Sequence, residues 1–181
     1  LGGVAATSGD ASSAARVARQ LETALHAAEG EDEVLDALRG LGNLGTTEAE
    51  RAVEPFLSDE SDWTRGAAAR ALRNVDSDSS RELLWGVVAD QSDAVRSQAI
   101  RALGGRGFSS DDVGRLHDWL AGGVSESDVI ALLESAERME DREAQEGLLL
   151  AMLDAASLSG STIERISGQL PRDMLASASQ R

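Results

Sequence analysis

An all-α, right-handed α-solenoid of stacked antiparallel helix pairs is the fold class that three features of this 181-residue chain predict. First, a thirty-one-residue unit occurs twice. Ser61, Asp62, Arg65, Ala68, Arg70, Ala71 and Leu72 recur as Ser92, Asp93, Arg96, Ala99, Arg101, Ala102 and Leu103. Second, the register extends outward: Asp59 matches Asp90, and the apolar set Ala52, Val53, Phe56 and Leu57 matches Leu83, Leu84, Val87 and Val88. Third, apolar residues recur at helical spacing along most of the chain, and no convincing period-two strand interrupts them. One helix pair cannot bury its apolar stripe alone, so a period of this length implies stacking on neighbours.

Residues 1–9 are small and weakly patterned and read as a flexible terminal segment. A first helix is expected from near Asp10 to Glu29, with Val17, Leu21, Leu25 and Ala28 on one side and Gly30 as its stop. Next, Glu31, Asp32 and Glu33 suit the positive end of a helix dipole, and Val34, Leu35, Leu38 and Leu41 form the stripe. Gly42 and Gly45 then break the chain. One period before the strong block, Glu31 underlies Asp62, Ala37 underlies Ala68, Arg39 underlies Arg70 and Leu41 underlies Leu72, which marks a degraded copy.

Helices over 47–57, 62–74, 79–89 and 93–104 follow, separated by Ser/Asp clusters that supply N-caps worth roughly 1 kcal/mol each. Pro55 kinks the first of these or shortens its second half. The stretch Gly104, Gly105, Arg106, Gly107 reads as a chain reversal, after which Ser109 or Ser110 caps a helix carrying Val113, Leu116, Trp119 and Leu120. The period then loosens. Helices are expected over 126–139, 142–156 and 161–170, with Pro171 ending the last and a short turn around Met174. The organisation expected is a single helical-repeat domain over 10–181. Its clearest repeats are 46–76 and 77–107, with a degraded one at 15–45 and divergent helices over 108–181.

The formal charge of −15 and a pI near 4.4 repel phosphate backbones and anionic membranes at long range, so nucleic acid is not the expected partner. All 17 basic residues are arginine, which fits a GC-rich genome or a salt-adapted setting, and both stay open. Cysteine is absent, which excludes disulfides, thiolate chemistry and thiolate metal sites and leaves the compartment undetermined. No apolar stretch approaches the roughly 18 residues of a membrane span, so no transmembrane segment is expected. Leu1 in place of an initiator Met reads as a segment processed from something larger. Aromatics make up only 3%, so Leu, Val, Ile and Ala must build the core.

The block Asp-x-x-Arg-x-x-Ala-x-Arg-Ala-Leu, preceded by an apolar helix and a short Ser/Asp loop, resembles HEAT repeats of the short bacterial and archaeal type over residues 31–107. The resemblance implies that Asp62, Arg65, Asp93 and Arg96 tie successive repeats together as a ladder. Val34 stands where the first copy has its arginine. More weakly, the run from Leu38 to Gly45 followed by a helix pair ending at Val75 is similar to the helical superhelix of vitellogenin-type lipid-transfer proteins. Their lipid-binding β-sheets have no counterpart here.

Arg39, Arg70 and Arg101 share one repeat position, so stacking would set them in a row roughly 10 Å apart. Such a row suits an acidic or carboxylate-bearing partner, or else consists of solvated or internally paired arginines. Trp63 stands where the next copy has Ala94, so the fold does not require an aromatic there, and it is the better candidate for a partner contact. Trp85, beside Leu84 and near Val87, reads as core. His26 and His117 lack carboxylates at metal-ligand spacing, so no metal is expected. Asp76 to Asp78 opens like a calcium loop, but Arg81 and Val87 occupy the positions that need Gly and Glu. The glycines at 104–107 lack the Lys-Ser/Thr of a phosphate loop, and no serine sits in a nucleophile elbow. The acidic clusters at 31–33, 59–62, 111–112 and 140–141 fall at helix starts or loops, where capping and solubility account for them.

With no catalytic or metal constellation and no cofactor implied, the expected function is a non-enzymatic scaffold. It presents a helical surface to a protein partner or to neighbouring domains of the same polypeptide. The alternative is the helical segment of a lipid-binding or lipid-transfer protein.

Overall fold

A computed structural model of the chain describes residues 7–155, 158–172 and 174–175, and among these no strand occurs. The expected flexible segment 1–9 lies outside the described residues as far as residue 6. From residue 7 the chain is already helical. Among the described residues the delimited α-helices are α1 (Thr7–Ala27), α2 (Glu31–Leu44), α3 (Thr47–Val53), α4 (Asp62–Ala71), α5 (Asp78–Val87), α6 (Asp93–Gly104), α7 (Ser110–Ala121), α8 (Glu126–Ala136), α9 (Arg142–Ala155) and α10 (Gly160–Ser167). The fold is an all-α solenoid of stacked helix pairs.

The helix boundaries have local causes. Thr46, Ser61, Ser77, Ser109, Ser125 and Ser159 each place a hydroxyl where it accepts the backbone N–H of the third helical residue. Ser109 and Ser125 form full capping boxes with Asp112 and Asp128, whose carboxylates reach back to the cap N–H and are buried. Pro55 ends α3 at Val53, and the chain continues as a 3-10 turn over Glu54–Ser58. Gly42 departs from its expected role. It lies inside α2, and the helix runs on to Leu44, where Gly45 closes it at φ 61°. Pro171 follows α10 after a turn, and Leu175 N–H donates to Pro171 O at 3.2 Å.

The chain divides into two compact units, Leu1–Ala102 and Leu103–Arg181. In the first, α1 packs on α2 and α3, and α2 packs on α4, so first helices and second helices stack in separate layers. Leu38, Leu41, Leu72, Leu84 and Ile100 are fully buried there, with Ala68, Ala69 and Ala99 letting the helices approach closely. In the second unit α7 packs on α9, and α9 also meets α8 and α10. Its core is Leu116, Leu120, Leu132, Leu133, Leu148, Leu149, Met152 and Ile166.

Two hydrogen-bond series tie successive pairs. The residue opening one second helix accepts the hydroxyl of the serine preceding the next: Ser61 Oγ donates to Glu31 at 3.1 Å and Ser92 Oγ to Asp62 at 3.3 Å. The second unit repeats the device, with Ser159 Oγ and N–H and Thr162 Oγ1 all donating to Glu126 Oε1. Those donors hold the Glu126 carboxyl below the ordinary glutamate range, the Ser159 hydroxyl most. The second-helix starts after Gly30, Ser61, Ser92, Ser125 and Ser159 therefore mark helix pairs at intervals of thirty-one to thirty-four residues. The pattern that loosens in the sequence after residue 107 persists in these caps.

Ser125→Ala removes the cap hydroxyl that both accepts from Asp128 N–H and donates to its buried carboxylate. It should lower the stability of α8 by about 1.5 kcal/mol. Native-state hydrogen exchange at Leu132 and Leu133 amides checks this, and unchanged protection would deny the cap its role.

Candidate functional site

A groove of about 560 Å³ runs across the second helices of the first unit. Leu35, Arg39 and Asn43 line it from α2, Trp63, Gly66 and Arg70 from α4, and Ala94 and Gln98 from α6. Helical periodicity produces this set. Arg39 and Asn43 are four residues apart, as are Gly66 and Arg70, and Ala94 and Gln98, so each helix presents one face to the same channel. Gly42, Ala67 and Ala71 keep the floor low.

Trp63 is 65% exposed, whereas Trp85 is 7% exposed and packs into α5's buried side. Trp63 is the second residue of α4, where no packing partner requires it, and it forms one wall of the groove. Arg39 pairs with Asp36 at 2.7 Å, both side chains largely in solvent. Such a pair contributes little to stability and is readily exchanged. Arg70 is exposed on the same channel. Arg101, the third member of the expected row, is half-buried and is not among the groove's lining residues. Gln98, three residues earlier on α6, lines it instead.

Of the expected ladder residues, Asp62 and Arg65 both reach the next repeat, Asp62 through Ser92 and Arg65 through Asp90. Arg65 sends Nε and Nη2 to Asp90 at 2.7 and 3.0 Å and Nη1 to the carbonyls of Asp59 and Glu60. It therefore spans to the loop of the next repeat. Asp62 and Asp93 open α4 and α6 and are exposed, and the Asp62 charge also favours the Arg65 guanidinium. Asp62 takes the Ser92 hydroxyl, and Asp93 pairs with Arg96 within α6 at 2.5 Å. Arg96 repeats Arg65's backbone contacts through Asp90 O at 2.8 Å. The Arg65 hydrogen bond, ahead of the opposing effect of burial, holds the Asp90 carboxyl below the usual carboxylate range and raises the guanidinium in return.

Sequence reasoning missed Asn43, Asn74, Arg73 and Gln98 as groove residues, and Asp90 as the rung. Asn43 and Asn74 stand one period apart, as do Asp59 and Asp90, so a signal existed for both pairs. Asn74 has a structural duty, donating Nδ2–H to Gly42 O at 3.0 Å. His26 donates its Nδ1–H to Glu22 O at 2.8 Å and meets Phe56 edge-on at 6.4 Å. Among the described residues no three His, Asp or Glu side chains gather into a metal site, and no helix is long and apolar enough to cross a membrane.

The family model for HEAT repeats matches residues 19–104, which takes in α2 to α6 and the whole groove. These residues are a HEAT-repeat array. No curated protein and no solved structure matches the chain. HEAT repeats are commonly protein-interaction scaffolds, and the family is generally non-enzymatic. Within the array, the groove lies along the layer of second helices, the face that stacked pairs present as one continuous surface.

Proposed function

We propose that the protein is a non-enzymatic scaffold whose second-helix groove receives a protein partner or a neighbouring domain of its own polypeptide. The observation that carries this reading is Trp63, 65% exposed on a groove wall with Arg39 and Arg70 beside it. Burying a large aromatic beside arginines is the composition of an interface anchor, and leaving it in water stabilises nothing. The position one period before Trp63 is Asp32 and one period after is Ala94, so repeat packing is satisfied without an aromatic. A lipid carrier calls for an apolar trough. This groove carries Arg39, Arg70 and Arg73 with Asp62 and several side-chain amides.

Affinity capture from source-cell extract tests the reading with three forms: wild type, Trp63→Ala, and Arg39→Glu combined with Arg70→Glu. Proteins recovered with wild type should fall roughly tenfold or more with either groove variant. They should be retained by Arg51→Glu, a single charge reversal on an exposed residue of α3, a first helix. Full recovery with both groove variants would remove the groove from the protein's function.

A further inference from the structure

We infer that the occupant of the groove is an extended acidic segment of a protein, with carboxylates about three residues apart and an apolar side chain between them that lies against Trp63. This deepens the scaffold reading above and rests on it. The first support is charge. The chain carries −15 overall, yet Arg39, Arg70 and Arg73 converge on one groove whose lining holds a single carboxylate, Asp62. Among the described residues Arg70 forms no ion pair, and Arg39 holds only the solvent-exposed Asp36. The guanidinium fork matches a carboxylate through two parallel N–H donors, so an incoming Asp or Glu can displace Asp36 at little cost.

The second support is shape. Stacked helices lie roughly 10 Å apart, so α2 to α6 spans about 20 Å, a distance covered by about six extended residues. Arg39 and Arg70, on adjacent second helices, then face positions about three residues apart on that strand. The groove is half-open rather than an enclosed cavity, so spacing along it, and not volume, carries the match to an extended strand.

The third support is Gly66. A Cβ there would meet only Gln98 Cγ at 3.7 Å and Val95 Cγ2 at 4.0 Å, ordinary contacts, and its φ is not positive. Neither packing nor backbone geometry demands glycine in the middle of α4, and the positions one period away are Leu35 and Ser97. Its effect is to open the floor between Trp63 and Arg70, where an occupant's apolar side chain would enter. A nucleic acid offers phosphates to the same arginines, but it would bring a continuous run of them past a strongly acidic protein.

Fluorescence anisotropy with labelled peptides of about eight residues, long enough to cross the groove, is the test. One peptide carries Glu pairs around a Leu. Its controls replace Glu by Gln, Glu by Lys, or Leu by Ala, and a single-stranded oligonucleotide of equal charge completes the set. The Glu/Leu peptide should bind wild type roughly tenfold or more tightly than each control, and more weakly as salt rises. Arg39→Glu combined with Arg70→Glu, and Trp63→Ala, should each weaken it by a similar factor. Gly66→Ala should raise the melting temperature while weakening the peptide, a combination that a purely structural glycine would not give. Equal binding of the Gln peptide overturns the acidic specificity, and the scaffold groove survives that result if Trp63→Ala still weakens binding. Peptide binding that no groove variant alters overturns both readings. No saturation with any peptide by about 1 mM overturns the acidic-segment inference and leaves the capture result to decide the scaffold. Tighter binding of the oligonucleotide replaces it with a nucleic-acid groove.

Discussion

Asp90→Ala is expected to lower the stability of the first unit by about 3 kcal/mol, because it strands Arg65 with its charge buried and half its donors unmatched. The two side chains keep 9% and 12% of their accessible surface, so water cannot replace the lost carboxylate easily. For a unit of this size the melting temperature should fall by roughly 15 °C. The same variant removes the acceptor of Ser92 N–H, at 2.8 Å, so that amide should exchange much faster. The pH dependence has a definite sign. A carboxyl whose folded pKa is depressed contributes stability that is fully present above its unfolded value of about 3.9 and is lost as pH falls through the folded value. The gap between wild type and Asp90→Ala in urea denaturation should therefore be flat above about pH 4 and close in stronger acid. A gap that instead widened in acid would mean that the pair is not what holds the loop.

Gly42→Val should cost about 3 kcal/mol or more, through a clash that no rotamer relieves. A Cβ at Gly42 would lie 2.8 Å from Ala71 Cα and 2.9 Å from Ala71 O, which are backbone atoms. Replacing a helical glycine normally gains up to about 1 kcal/mol, so overpacking is the larger effect here. The contrast with Gly66 is a direct check, since Gly42→Ala should destabilise and Gly66→Ala should stabilise in parallel urea titrations. Adding Ala71→Gly to Gly42→Val should rescue little, because the obstructing Cα and carbonyl remain. Full rescue would show that α2 and α4 are not in backbone contact at this point.

The sequence carried the repeat, the helix order and the consequence of Pro55, because all of these follow from local periodicity and fixed φ. It also carried the exposure of Trp63 through the mismatch with Ala94. Gly42 was misread as a stop because a buried glycine that admits a neighbouring helix and one that ends a helix look alike in sequence. Only the position of Ala71 separates them. The ladder partner was missed for a related reason. Asp62 is the nearest acid to Arg65 along the helix, but a long side chain satisfies itself across the stack, where Asp90 waits twenty-five residues on. Arg101 shares a repeat position with Arg39 and Arg70 yet does not line the groove, so an exact sequence period does not guarantee equal exposure along a stack.

The serine that starts each of two second helices has one further implication. Ser61 and Ser159 use a single hydroxyl to accept from their own helix and to donate to the acid that opens the second helix before it. Nucleation of one helix and docking onto its predecessor are thus a shared event. A chain built this way tolerates gain or loss of a whole helix pair, which returns a serine to an acid in the same register. The Glu126–Ser159 spacing exceeds the Glu31–Ser61 spacing by three residues and keeps the same bond, so loops within a pair absorb small changes of length while each hydroxyl holds the register of the stack.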